Sequence, residues 1–334
     1  MEGLMRDRSG RGGHVPIVVT RQLPEALMQR LDQDWRPWVN PDDRTLIADE
    51  LIAAAHRHAA EVLLVMAMDR FDATLIAGLP DSVRLIATLS VGHDHIDLDA
   101  ARARGIAVIY TPGIHSEAVS EMAIMLMLCA ARRAHEGERM LYDKAWRGWS
   151  PTQLLGRDVT GARLGILGMG RIGRTIARRA KAAFDMELHY HNRSRLAPDL
   201  EGGAIYHSDA ESLFAVSDFF VLAAPSSPQT RGIVNATRIA LMPRGAIVVN
   251  VARGDLVDDP ALIAGLQSGQ IGAAGLDVFN GEPDIHPGYL DLPNVFLQPH
   301  QGSSTLGTRA QMGHMLLDTI ETCLAGGDAP NRLV

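Results

Sequence analysis

With 334 residues, 46% of them hydrophobic and 21% charged, the chain is long enough for two ordinary globular domains and too apolar to be disordered. Its net charge of -7 excludes a general electrostatic attraction to nucleic acid or to an anionic membrane, so any anion site must be built locally. The two cysteines, Cys129 and Cys323, cannot supply a disulfide framework or a cysteine zinc site, and they suit a reducing, cytoplasmic setting.

Residues 1–13, MEGLMRDRSGRGG, are polar and glycine-rich, lack the apolar core of a signal peptide and read as a flexible leader. Next come PIVVT (16–20), EVLLVMA (61–67), VRLIATLS (83–90) and IAVIYT (106–111), short apolar runs that read as buried strands. Segments of helical length, such as residues 44–60, lie between them. Residues 116–135 read as one long buried helix. Ser116 is its predicted cap, with Glu117 and Glu121 near the start and Arg132 and Arg133 near the end, as the helix dipole favours. The apolar run within it, residues 122–131, is about half the length that crosses a bilayer.

A polar stretch with tryptophans, residues 144–157, leads to a second strand series. Its members are RLGILG (163–168), MELHYH (186–191), DFFVLAA (218–224), GAIVVNVA (245–252), GAAGLDVF (272–279) and NVFLQ (294–298). Helical segments separate most of them, notably at 171–184 and 260–268, and the tail after Ser303 carries apolar residues at helical spacing. Alternation of this kind predicts an α/β chain of two Rossmann-like, doubly wound parallel-sheet domains.

Strand RLGIL runs into GMGRIG (168–173), which opens a helix; this is G-x-G-x-x-G in the setting it requires. Gly168 permits the tight turn, Gly170 lets the backbone approach a pyrophosphate, and Gly173 lets helix and strand pack. The N–H groups of the helix start, from Arg171 and Ile172 onward, would hold the anion. An NAD site usually places Asp or Glu about 20 residues on, against the ribose hydroxyls. Here the next strand ends in Asn192, Arg193, Ser194 and Arg195, with no carboxylate before Asp199. Elsewhere such a string would be an exposed basic turn. After this fingerprint, two guanidiniums and a hydroxyl suit a 2′-phosphate and predict NADPH (NADP) in preference to NADH.

Ligands of open α/β sheets bind beyond the carboxyl ends of the strands. Three such ends carry Arg253, Glu282 and His300, separated by 29 and 18 residues. A guanidinium holds a substrate carboxylate and polarises its carbonyl, an imidazolium supplies a proton, and a carboxylate fixes the imidazole. We therefore read Arg253 as substrate-binding, His300 as the acid/base and Glu282 as its partner. The H-x-H pairs at 56/58, 93/95 and 189/191 have no convincing further ligands, so no zinc site is expected.

The motifs SVGHDHID (90–97), GILGMGRIG (165–173), VNVARGDLVDD (249–259), GAAGLDVFNGEP (272–283) and NVFLQPHQGS (294–303) resemble those of the D-isomer-specific 2-hydroxyacid dehydrogenases. The resemblance implies that Arg253, Glu282 and His300 form the catalytic set, and that Val91 and Gly92 bind the substrate carboxylate through backbone N–H groups. It also implies cofactor contacts at Ser116, Ala224, Pro225, Val251, Asp277 and Gly302, with Asp277 on the nicotinamide carboxamide. Ser116 stands where threonine is usual, and Gln301 follows the histidine where an apolar residue is usual.

The implied architecture is a discontinuous substrate-binding domain (14–112 plus 304–334) and a dinucleotide-binding domain (113–303) with a cleft between them. The implied assembly is a homodimer. Within the family, HNRSR and the front third look most like the NADPH-dependent glyoxylate/hydroxypyruvate reductases, in which a partner-subunit tryptophan, matching Trp149, limits the substrate pocket. A formate dehydrogenase would normally carry glutamine at Glu282. D-lactate or D-3-phosphoglycerate specificity stays open, since it depends on pocket residues around Ala67, Met68 and Arg70. A non-catalytic, corepressor-like dinucleotide sensor also stays open, and turnover discriminates it.

Overall fold

The structure, a computed structural model, describes residues 15–334; the leader expected over 1–13 lies outside the described residues. The chain forms two compact units, one of residues 15–115 with 304–334 and one of residues 116–303.

In chain order the first unit contains β1 (Ile17–Val19), α1 (Glu25–Asp34), β2 (Trp38–Val39), α2 (Ala48–Arg57), β3 (Val62–Val65), α3 (Ala73–Gly78), β4 (Leu85–Thr88), α4 (Leu98–Ala103) and β5 (Ala107–Ile109). The strands pair in parallel in the order β2-β1-β3-β4-β5. VLLV of β3 and LIAT of β4 are buried at every position, as central strands must be when both faces of the sheet are covered. One face packs Leu63, Val65 and Ile86 against Leu51, Ala55, Leu75 and Ile76. Asp72 and Asp97 accept hydrogen bonds from first-turn N–H groups of α3 and α4, which fixes where those helices begin.

The second unit contains α5 (Ser116–Ala131), α6 (Ala134–Tyr142), β6 (Arg163–Leu167), α7 (Arg171–Phe184), β7 (Glu187–His191), α8 (Pro198–Glu201), β8 (Ile205–His207), α9 (Ala210–Val216), β9 (Phe219–Leu222), α10 (Ala236–Leu241), β10 (Ala246–Asn250), α11 (Asp259–Ser268), β11 (Ile271–Leu276) and β12 (Val295–Leu297). Its sheet is again all parallel, in the order β12-β11-β10-β9-β6-β7-β8. Strand order reverses between β6 and β9, and a reversal of this kind opens a crevice at the strand ends where ligands bind. The chain then returns to the first unit as α12 (Leu306–Leu324), which packs Leu316, Leu317 and Ile320 beside Leu27 and Leu31 of α1. Among the described residues no helix is long and apolar enough to cross a membrane.

The α/β architecture expected from the alternation is the one observed, with local differences. The single helix expected over 116–135 ends at Ala131, and Arg133 takes the left-handed conformation (φ 53°) before α6 begins. The Arg133 guanidinium forks onto Glu136 at 2.7 and 2.6 Å, so it braces α6 rather than ending α5. Ser116 is the first residue of α5, and Glu117 beside it pairs with Arg178 and Arg179 of α7 at 2.9 and 2.6 Å. Short strands β2 and β8 and helix α6 were not among the elements expected from the sequence.

Candidate active site

The glycine turn sits at the strand-order reversal, between β6 and α7. Gly168 has φ 97°, and a Cβ there would lie 2.4 Å from the Ala224 nitrogen. At Gly173 a Cβ would lie 2.2 Å from the Gly168 carbonyl oxygen. Packing therefore demands glycine at both positions. Gly170 differs: its φ is -79°, and a Cβ would meet no atom within 4 Å. The open face above Gly170, and the first-turn N–H groups of Arg171, Ile172 and Gly173, which α7 itself cannot pair, fit the pyrophosphate of a dinucleotide. Ala224 and Val251 are buried at the neighbouring strand ends, and Pro225 is exposed.

Beyond β7, the Asn192 Oδ1 accepts a hydrogen bond from the Met169 N–H at 2.7 Å, which ties this segment to the glycine turn. Among the described residues the exposed side chains of Arg193 and Ser194 have no hydrogen-bond or ion-pair partner. Arg195 has one, the Glu201 carboxylate, through Nε at 2.7 Å and Nη2 at 3.1 Å.

Arg253 follows β10 and Glu282 follows β11; His300 follows β12. The second unit brings two of these side chains into direct contact, because His300 Nδ1 lies 2.7 Å from Glu282 Oε2. Glu282 Oε1 accepts the Phe279 N–H at 2.7 Å. Burial alone would raise the Glu282 pKa. The His300 hydrogen bond and charge, the Phe279 N–H and the charge of Arg253 outweigh it, so the carboxyl is held below its usual range. His300 Nε2 has no partner among the described residues and is the ring atom left for chemistry.

The backbone around this pair is tightly held. His300 is left-handed (φ 54°), a conformation costing about 1 kcal/mol for a residue with a side chain. Asp277 compensates: its carbonyl accepts the His300 N–H at 2.8 Å, and its carboxylate accepts those of Gln301 and Gly302 at 2.7 and 2.8 Å. Burial raises the Asp277 pKa against the lowering effect of these two N–H groups. At Gly254 a Cβ would stand 1.8 Å from the Phe279 carbonyl carbon, so the turn after Arg253 is pressed against the segment that carries Glu282.

Asn250, fully buried, donates to the Arg253 carbonyl at 2.8 Å and accepts the Ala252 N–H at 3.0 Å. Sequence reasoning did not single it out. The available signal was a lone amide in the aliphatic strand AIVVN, which the interior tolerates only when its hydrogen bonds are satisfied.

Val91 and Gly92 lie in the first unit, just past β4. Their N–H groups have no hydrogen-bond partner among the described residues. Ser90 holds the turn by donating to the Gly92 carbonyl at 2.6 Å, and its carbonyl accepts the Thr111 hydroxyl at 2.9 Å. His95 Nε2 lies 3.0 Å from the Thr88 hydroxyl, a structural hydrogen bond. Among the described residues no group of three or more His, Cys, Asp or Glu side chains is arranged to hold a metal ion.

Residues 124–302 match the family model described as D-isomer specific 2-hydroxyacid dehydrogenase, NAD binding domain. The chain is 42% identical to a glycerate dehydrogenase of Hyphomicrobium methylovorum over 93% of this chain and 97% of that one. The chain belongs to the D-isomer-specific 2-hydroxyacid dehydrogenases. A solved structure from Polaromonas sp. JS6 66, described as a putative member of that family, superposes with a TM-score of 0.91 at 46% identity, covering 96% of this chain and all of that one. An NADPH-dependent glyoxylate/hydroxypyruvate reductase of Sinorhizobium meliloti, solved with NADP and malonate, gives 0.85 at 30% identity over 96% and 97% of the two chains.

For this NAD(P)-dependent dehydrogenase Gly170 and Gly173 separate experimentally. Gly170→Ala is expected to leave the melting temperature unchanged and to weaken dinucleotide binding at least about tenfold, because its methyl would enter the open face. Gly173→Ala should instead lower the melting temperature, since the Gly168 backbone must move. Thermal unfolding and cofactor fluorescence titration of the two variants check this.

Proposed function

We propose that this dehydrogenase reduces small 2-keto acids, glyoxylate and hydroxypyruvate among them, to 2-hydroxy acids, with NADPH used in preference to NADH. The observation that carries the reading is the 2.7 Å contact between His300 Nδ1 and Glu282 Oε2, which leaves Nε2 for the substrate. When bound, the reduced nicotinamide would supply a hydride to the carbonyl carbon. His300 Nε2 gives the carbonyl oxygen its proton, and Glu282 orients the ring and balances its charge. Arg253 binds the substrate carboxylate, and the N–H groups of Val91 and Gly92 are assigned to the same substrate.

NADPH preference is supported by Arg193 and Ser194, which follow β7 where an NAD site would carry a carboxylate. Gly168, Gly170, Arg171, Ile172, Gly173 and Asn192 are assigned to the rest of the cofactor, with Ser116, Ala224, Pro225, Val251, Asp277 and Gly302. Gly302 stands next to a buried carboxylate whose oxygens retain acceptor capacity for a carboxamide.

The active form is assigned as a homodimer. Leu141, Tyr142, Trp146 and Leu155 are exposed around Trp149, itself 83% exposed, and so much apolar surface suits a second copy whose substrate Trp149 would limit. One assay panel tests the reading: oxidation of NADPH and NADH against glyoxylate, hydroxypyruvate, pyruvate and bulkier 2-keto acids. Fastest turnover is expected with NADPH and the two smallest polar substrates. Tight NADPH binding with no turnover on any of them would instead establish a dinucleotide sensor.

A further inference from the structure

Arg195 looks, from its place in the sequence, like one of two guanidiniums waiting for a 2′-phosphate, but the structure gives it another occupation. It forks onto Glu201, and its guanidinium carbon lies 5.8 Å from the centre of the Tyr206 ring. Glu201, in α8, has only 10% of its side chain exposed and also accepts the hydroxyl of Tyr190 at 2.7 Å. Tyr190, the last but one residue of β7, is fully buried, and its hydroxyl oxygen accepts the Leu196 N–H at 3.1 Å. Leu196 N–H, Tyr190 hydroxyl, Glu201 carboxylate and Arg195 guanidinium therefore form a chain of hydrogen bonds that the Arg195–Leu196 backbone closes into a ring. That ring pins the far end of the 192–195 segment to the core, while Asn192 pins its near end to the glycine turn.

We infer that Arg195 is a positioning residue for cofactor specificity: locked to Glu201, it holds Arg193 and Ser194 where a 2′-phosphate would meet them, and does not itself bind the phosphate. This rests on the NADPH reading above. Exposed ion pairs usually contribute little, yet this one has forked geometry, an aromatic face beside it and a carboxylate already drawn inward by a buried tyrosine. If Arg195 left to bind phosphate, the Glu201 carboxylate would lose both N–H donors of the fork and keep the Tyr190 hydroxyl as its one side-chain donor. Giving up a forked, charge-assisted pair in this way costs more than giving up a single neutral hydrogen bond. Arg195 and Tyr190 together hold the Glu201 carboxyl below its usual range, so it stays charged at neutral pH. Arg193 and Ser194, between the two pinned ends, keep their side chains free among the described residues.

The test is a mutant cycle read in cofactor affinity, with NADPH, NADH and adenosine 2′,5′-bisphosphate as ligands. Arg193→Ala is expected to weaken NADPH and the bisphosphate about 10- to 100-fold while sparing NADH, as loss of a charge-assisted contact predicts. Arg195→Ala, Arg195→Lys and Glu201→Gln should each weaken NADPH about 3- to 10-fold, with NADH affinity and kcat unchanged, because all three break the forked pair. The Arg193→Ala/Arg195→Ala double variant should be little weaker than Arg193→Ala, since one residue acts through the other.

The opposite pattern sinks the positioning role while leaving NADPH preference intact: Glu201→Gln binding NADPH as tightly as the wild type or tighter, or the double variant losing the product of both single effects. Arg193→Ala with an unchanged NADPH-to-NADH ratio is a different failure. It overturns the 2′-phosphate reading and this inference with it.

Discussion

Replacing His300 with alanine is expected to cut kcat for 2-keto acid reduction by about 10²- to 10⁴-fold, the usual range for removing a general acid, while the Kd for NADPH stays within about twofold. The two quantities separate because proton donation belongs to the transition state, whereas cofactor affinity is assigned to the glycine turn and the segment after β7. His300 is left-handed, so alanine there adds a small backbone cost. His300→Asn is the better control, because asparagine tolerates that conformation and still cannot donate a proton as an acid.

Glu282→Gln should reduce kcat less than the loss of the histidine. Glutamine can still accept a hydrogen bond from Nδ1, but it carries no charge to balance an imidazolium. The wild-type carboxylate is held below its usual pKa range, so across neutral pH it remains the charged partner. Single-turnover kinetics with each variant separate the chemical step from binding. A His300→Ala enzyme that kept most of its rate would remove the proton assignment.

The fold was largely legible because both sheets are parallel and covered on both faces, which writes their central strands as continuous aliphatic runs such as VLLV and AIVVN. Elements outside that rule were not legible. The edge strand β2 is two residues long, Trp38 and Val39, and shows no run to read. Strand β8 carries Ile205, exposed, and His207 on the far edge of its sheet. The break between α5 and α6 falls at Arg133, where no glycine or proline marks it.

In the site, the strand-end positions of Arg253, Glu282 and His300 could be read from the sequence, because a parallel sheet sends all its carboxyl ends to one edge. Asn250 and Glu201 could not, since they act by holding other residues. The pairing of Arg195 with Glu201 depends on how α8 folds back toward Tyr190, and no local pattern encodes that.

Arg253→Lys is expected to be nearly as damaging as Arg253→Ala, which makes it the sharper of the two tests. A carboxylate held by a guanidinium is gripped along two parallel N–H directions, and an ammonium group offers one point of charge in their place. One Nη1–H of Arg253 is already committed to the Ala252 carbonyl at 2.7 Å, and Asn250 holds the Arg253 carbonyl, contacts that help to place the fork and that lysine would not reproduce in the same way. Loss of the ground-state grip should raise the KM for a 2-keto acid about 10- to 100-fold. In Arg253→Ala the loss of the cation, and in Arg253→Lys the displacement of the charge from the developing alkoxide, should lower kcat by a further 10²- to 10³-fold or so. NADPH affinity should hardly change in either variant. Steady-state kinetics with glyoxylate, alongside NADPH titration, reads both effects at once. If Arg253→Lys kept near-normal kcat/KM, point charge alone would suffice, and the forked recognition of the carboxylate would have to be given up.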